Sequence, residues 1–163
     1  MKPEKQETAR PAVKTIETVL EEFLADQHTR LKAGTLRKYG HIIHLFQSSL
    51  NNYAYQYLNK TESKLFDRFY HTKGEEHREF CQIFGPEKIP ENVGEFLNYF
   101  MVRKVLCGKE LKQSAGTVVK KLGRWLQGKG YVGRENGAEI ASSGATATHE
   151  LPATEELLQL LVE

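Results

Sequence analysis

The residues best equipped for chemistry are six histidines, two cysteines and a run of lysines and arginines late in the chain. His41 and His44 stand three positions apart, which puts them on one side of a helix. Two imidazoles at that spacing do not hold a metal without a third ligand, and the simpler reading is a pair of half-exposed polar residues beside a core stripe. His28, His71 and His77 fall near expected helix ends, a common place for histidine, and His149 falls in a stretch that reads as linker. Cys81 and Cys107 each stand alone in an apolar pattern, with no CxxC or HxxxH partner, and read as buried, reduced thiols. There is no GxSxG, no cysteine with a nearby histidine pattern and no glycine-rich loop ending in GK[ST]. Glu21-Glu22 and Glu75-Glu76 read as solvated faces. The expectation is a chain without catalytic machinery, cofactor or metal.

The cations say more. Lys112, Gln113, Ser114 and Thr117 cluster where a helix is expected to start, and Lys120, Lys121 and Arg124 follow along its outer side. A helix N-terminus offers free backbone N–H groups to a phosphate. Lysine and arginine add charge, and glutamine and serine can reach base edges or phosphates. Lys32, Thr35, Arg37 and Lys38 form a matching set at the start of an earlier helix, and two such starts can straddle a duplex backbone. The net charge of +2 hides the asymmetry. Residues 101–134 carry nine Lys and Arg against the one acid Glu110, while 135–163 carry six glutamates and neither Lys nor Arg. Such a division points to a polyanion-facing surface followed by an acidic tail; the plainer account is a solvated helix face.

These residues must be positioned by helices. The chain has 163 residues, 39% of them hydrophobic and 27% charged, enough for one domain and a tail. Residues 1–13 are polar, hold two prolines, lack the apolar core of a signal peptide and read as a disordered arm. No stretch approaches a membrane span, so a cytoplasmic protein is expected. Ile16, Val19, Leu20, Phe23 and Leu24 repeat at helical spacing behind Thr15 as N-cap. A second helix from about Thr35 carries Leu36, Tyr39, Ile42, Ile43, Phe46 and Leu50. Thr61 is placed to cap a short helix with Leu65, Phe66, Phe69 and Tyr70 inward. Another short helix is expected over Glu75–Phe84 and is stopped by Gly85-Pro86. Pro90 starts the clearest amphipathic helix, with Val93, Phe96, Leu97, Phe100 and Met101 on one face and Gly108 at its end. A helix from Ser114 buries Val118, Leu122, Trp125 and Leu126, and Gly128 and Gly130 close it, with Tyr131-Val132 packing back. Residues 133–150, mostly Gly, Ser, Ala, Thr and Glu, read as a linker. Residues 151–163 read as a short apolar tail helix that must dock on this domain, a second copy or a following segment.

This order of segments resembles the N-terminal SAM-like, core-binding domain of phage integrases and other tyrosine recombinases. The family's first helix is similar to VLEEFLADQ, Val19–Gln27. Its second is similar to LKAGTLRKYGHIIHLF, where Thr35, Leu36, Tyr39, Ile43 and Phe46 match. KIPENVGEFLNYF, Lys88–Phe100, resembles the helix introduced by I-T-P-E-D-V. LKQSAGTVVKKLGRWLQGKGYV, Leu111–Val132, resembles the last helix, with a shorter middle. The likeness covers roughly residues 12–132.

The resemblance implies a domain that clamps one side of DNA with its helices in or near the major groove. It makes Thr35, Arg37, Lys38, Ser114, Thr117, Lys120, Lys121 and Arg124 DNA contacts. Two departures stand out. Residues 51–87 are much longer than the family's connection and rich in aromatic and acidic residues, and the recombinase catalytic pattern of Arg, Lys, HxxR, His and Tyr does not follow. The expected architecture is therefore all-α: a multi-helix orthogonal bundle of SAM-like integrase N-terminal type over 14–132, with a helical insertion at 51–87, a linker over 133–150 and a tail helix. The expected role is a non-catalytic module for double-stranded DNA. The alternative is a helical interaction or regulatory module that meets a protein partner, or itself, through the aromatic insertion and the apolar tail. The linker and the apolar last helix also suggest that further sequence once followed.

Overall fold

A computed structural model describes residues 12–105 and 109–162, and the side chains of 12–103 and 110–148 among them. Every regular element among these residues is helical. None of their helices is long and apolar enough to cross a membrane. The expected disordered arm lies outside the described residues up to position 11. Ala12 is tied down, its N–H donating to the Ile83 carbonyl at 2.7 Å.

Helix α1, Ile16–His28, begins where Thr15 accepts a hydrogen bond from the Thr18 N–H, leaving Ile16, Val19, Leu20 and Phe23 buried. Helix α2, Ala33–Tyr53, buries Tyr39, Ile42, Ile43, Phe46 and Leu50. Their stripes meet: Phe23 stacks on Tyr39 with ring centroids 6.3 Å apart. A 3-10 turn, Ala54–Tyr57, leads to α3, Lys60–Tyr70. The cap of α3 is Asn59 rather than the expected Thr61. Asn59 and Glu62 bond each other's backbone N–H groups reciprocally, which satisfies two orphan donors at once.

The expected helix over Glu75–Phe84 is instead a 3-10 turn, Gly74–Glu76, and a short α4, Phe80–Ile83. The intervening backbone is drawn to the end of α3: Arg78 N–H donates to the Phe69 carbonyl at 3.0 Å, and the His77 ring donates to that of Tyr70 at 2.7 Å. Phe80, Cys81 and Ile83 are fully buried, and α4 packs against α1 and α2. The insertion is therefore part of the core. Two 3-10 turns, Pro86–Lys88 and Pro90–Asn92, lead into α5, Val93–Glu95, which continues as a π-helix over Phe96–Val105. Val93, Phe96, Leu97, Phe100 and Met101 are buried as their spacing predicts. The expected stop at Gly108 lies outside the described residues.

Helix α6, Lys109–Gly128, and helix α7, Arg134–Val162, are the longest pairing in the molecule. Gly130 adopts the left-handed conformation (φ 81°). Gly130 N–H bonds the Gln127 carbonyl and Tyr131 N–H bonds that of Leu126. This is the glycine-terminated C-cap expected there. The linker expected over 133–150 is helix instead. Gly116 and Gly123 of α6 face Gly144 and Gly137 of α7 in antiparallel order. A Cβ on Gly144 would stand 2.6 Å from the Gly116 carbonyl oxygen, and one on Gly123 would stand 2.9 Å from that of Gly137. Glycines seven residues apart on both helices let the two backbones touch, and Ile140 and Ala147 are buried in the same seam. This contact stabilises a composition that on its own favours helix weakly.

Candidate nucleic-acid interface

Helix α2 starts with a bare N-terminus. Lys32 is the N-cap residue and makes no side-chain cap, and the first turn contains no acid. Its first N–H groups and the exposed Lys32, Thr35, Arg37 and Lys38 share one end of the helix. That end lies against α6. A groove of about 280 Å³ has Thr35 and Lys38 on one wall and Gln113, Ser114 and Thr117 on the other. An adjoining hollow of about 530 Å³ takes in Arg37, Lys38 and His41. Five of the predicted residues, far apart in sequence, thus line one concavity.

The rest divide. Gln113, Thr117 and Arg124 are exposed and lie four and seven residues apart along α6, which places them on one face. Lys120 and Lys121 flank that row half-buried, beyond the groove. Lys32 is exposed at the cap but lines neither hollow. Lys112 is a correction: it is only 8% exposed. The expected helix start at Ser114 is also a correction, because α6 begins at Lys109. Glu110 and Leu111 continue the helix backward, and Leu111 packs on the core. Ser114 therefore lies inside a helix, and the free N–H groups of this interface belong to α2 alone.

The groove contains one acid that the basic pattern obscured. Glu110 accepts a hydrogen bond from Lys38 Nζ at 3.2 Å. Both side chains are largely exposed, so the pair is worth little and screens readily. Nothing in the sequence joins two residues this far apart. His41 was missed in the same way, since its neighbours on α6 come from the packing.

Other cations of the basic run are engaged elsewhere. Lys129 reaches Asp26 at 3.2 Å, and Arg103 lies over the Tyr99 ring at 5.7 Å. Asp26 also accepts from Trp125 Nε1 at 2.8 Å. The indole N–H and the Lys129 ammonium hold its carboxyl below its ordinary range. Tyr131 donates to Glu22, which raises the phenol above its usual value. These contacts fasten the end of α6 to α1 and fix where the exposed row points.

Catalytic groups are sparse in the same region. His41 and His44 are exposed on α2, and among the described residues no three His, Cys, Asp or Glu side chains gather as metal ligands do. Cys81 is buried, and burial pushes its thiol far above the ordinary range, the reverse of what a nucleophile needs. Cys107 lies outside the described residues. No protein-family model, no curated protein and no solved structure matches the chain.

Proposed function

We propose that this chain is a non-catalytic module that grips double-stranded DNA with the groove between the start of α2 and the outer face of α6. The carrying observation is the convergence of Thr35 and Lys38 with Gln113, Ser114 and Thr117 on one concavity. The bare N-terminus of α2, with Lys32, Arg37 and Lys38 beside it, holds backbone phosphates. The row Gln113, Thr117 and Arg124 follows the groove of the duplex, where glutamine and arginine read base edges and Lys120 and Lys121 add phosphate contacts. The resemblance of the segment order to that of the core-binding domain of tyrosine recombinases supports the same reading.

The test is fluorescence anisotropy on duplex oligonucleotides across a range of salt. Log affinity is expected to fall with log salt at a slope of roughly −3 to −6, as for several neutralised phosphates. The double variant Lys121→Glu, Arg124→Glu should weaken binding at least roughly ten-fold, because one phosphate contact and one base-edge contact are lost and two repulsions gained. No binding at low salt, or equal binding by the variant, would sink the proposal. The reading would then move to a protein-interaction module, for which the half-exposed Tyr57, held by Glu95 at 2.7 Å, is the starting point.

A further inference from the structure

At the far end of α2 from the groove lies a second concavity, of about 370 Å³, between the last turn of α2 and helix α3. Its floor is a ladder of nearly parallel rings. Tyr55 stacks on Phe66 with centroids 6.1 Å apart and planes 8° from parallel. Phe66 stacks in turn on Tyr70 at 4.9 Å and 16°. Phe66 is buried, yet Tyr55 remains 52% exposed. The ladder thus ends in an aromatic surface open to solvent, while Phe80 and Phe84 nearby are buried.

The rim is polar. Asn51 Oδ1 accepts the Cys81 N–H at 2.9 Å, which orients its Nδ2 as a donor for something else. Asn52 Nδ2 donates to the Ser48 carbonyl at 2.8 Å, which leaves its Oδ1 as an acceptor. Two neighbouring amides, Asn51 fixed through its oxygen and Asn52 through its nitrogen to the carbonyl and hydroxyl of Ser48, thus offer one donor and one acceptor. Asp67 and His71, 3.7 Å apart, complete the rim. Lys60 and Lys64 lie on the Asp67–His71 side of α3, at helical spacings of three and seven residues from them, and are exposed.

We propose that this cavity is a nucleobase pocket, taking one unpaired base of a single-stranded nucleic acid or of a free nucleotide. A planar ring extends the ladder, its edge pairs with the Asn51 and Asn52 amides, and its phosphate lies toward Lys64 and Lys60. Stacking on aromatic side chains combined with hydrogen bonds to the base edge is how proteins hold extruded or unpaired bases. An apolar ring would fill the same volume but leave the free ends of the Asn51 and Asn52 amides unpaired, at a cost. The size is at the small end of ligand pockets, which run from about 300 to 1,000 Å³. The site shares no residue with the duplex groove. Asn52 follows Thr35 on α2 at a distance of roughly 25 Å along the axis, at about 1.5 Å per residue. The inference therefore stands independently of the duplex reading.

The experiment uses the intact chain with labelled single-stranded DNA, single-stranded RNA and, in a separate arm, adenosine monophosphate followed by the NMR resonances of His71. Tyr55→Ala is expected to weaken the bound form roughly ten-fold or more, the effect of removing one stacking partner, while Tyr55→Phe retains it. Lys64→Glu, at an exposed helical position where the fold is indifferent, is expected to weaken binding and flatten its salt dependence by about one phosphate contact. Lys121→Glu, Arg124→Glu should leave single-strand binding unchanged, so failure here and failure of the duplex reading are separable. Mononucleotide binding that shifts His71 assigns the base to a free nucleotide, and binding by the strands alone assigns it to a polymer. Wild-type affinity in Tyr55→Ala, or no binding by any of the three ligands, overturns the proposal.

Discussion

His77 donates from both ring nitrogens. Nδ1 faces the carbonyls of Tyr70 and Thr72 at 2.7 and 3.2 Å, and Nε2 faces Glu79 at 3.0 Å. A neutral imidazole has one donor only, so this arrangement selects the charged ring. The Glu79 bond, and after it the two carbonyls, outweigh the desolvation of the ring and raise its pKa above the ordinary 6.5. A group whose folded pKa is raised contributes stability that is complete below its unfolded value and is lost as pH rises through the folded value. The melting temperature of the wild type should therefore exceed that of His77→Gln below about pH 6.5, with the gap closing at higher pH. An NMR titration of His77 below 6.5, or a gap that widens with pH, would contradict this. Glu62 runs the other way. Burial pushes its carboxyl up, but Lys88 at 2.6 Å and the Asn59 N–H prevail and hold it below its usual range, so its contribution is lost only as pH falls through that lowered value. Neither partnership is visible in the sequence, where His77 shows only as a residue near a helix end. Thr15, which caps Thr18 three residues on, and Tyr131, whose backbone N–H reaches the Leu126 carbonyl, are legible as cap and cap-packing residues because those bonds are local; the Tyr131 bond to Glu22 is not.

At the scale of elements, periodicity carried the reading wherever a helix has one apolar face and one wet one. The stripes of α1, α2, α5 and α6 are buried at most of the positions their spacing demands, with Leu24, Leu36 and Trp125 half-buried at their margins. Periodicity failed where burial is achieved without large side chains. The first half of α7, up to residue 150, reads as linker because Gly137, Ala141, Gly144 and Ala147 look like flexible composition, while its second half reads as helix; the seven-residue spacing of glycines, present also at Gly116 and Gly123, is the signal that joins them. The seam makes a paired prediction about glycine. Gly144→Ala would place a Cβ 2.5 Å from the Lys120 backbone nitrogen, and because backbone cannot step aside the cost should be roughly 1–3 kcal/mol in chemical denaturation. Gly40→Ala, in α2 with nothing within 4 Å of the added carbon, should instead stabilise by roughly 0.8–1 kcal/mol, the helix-propensity difference. Equal effects of the two would mean that α6 and α7 are not in backbone contact.

The whole molecule is more unified than its segment order suggests. Residues 51–87 read in the sequence as an insertion and invite description as an appendage, yet their α4 contributes Phe80 and Ile83 at 0% exposure to the same core as Phe23 and Phe46. Phe80 also touches both Phe66 and Phe84. Phe80→Ala should therefore lower the stability of the entire chain by roughly 3–5 kcal/mol, like any large core truncation, with a single unfolding transition in urea. A second transition, or an unchanged midpoint, would show the insertion to be separate. The candidate interface was legible in its parts and not in its assembly. Residue types marked Thr35, Lys38, Gln113 and Thr117, but the burial of Lys112 and the presence of Glu110 in the groove depend on which turn of α6 meets α2.

The glycine seam has a mechanical side. Where side chains separate two helices, the pair can shift by exchanging rotamers. Here backbone rests on backbone, and little can be rearranged without parting the helices. Helices α6 and α7 thus form a single stiff strut, with the row Gln113, Thr117 and Arg124 along one side of it. At about 1.5 Å per residue, α7 is roughly 44 Å long against 30 Å for α6, so it continues past the start of its partner. Along the glycine seam, a shift of α7 therefore carries α6, and with it the exposed row, as one body.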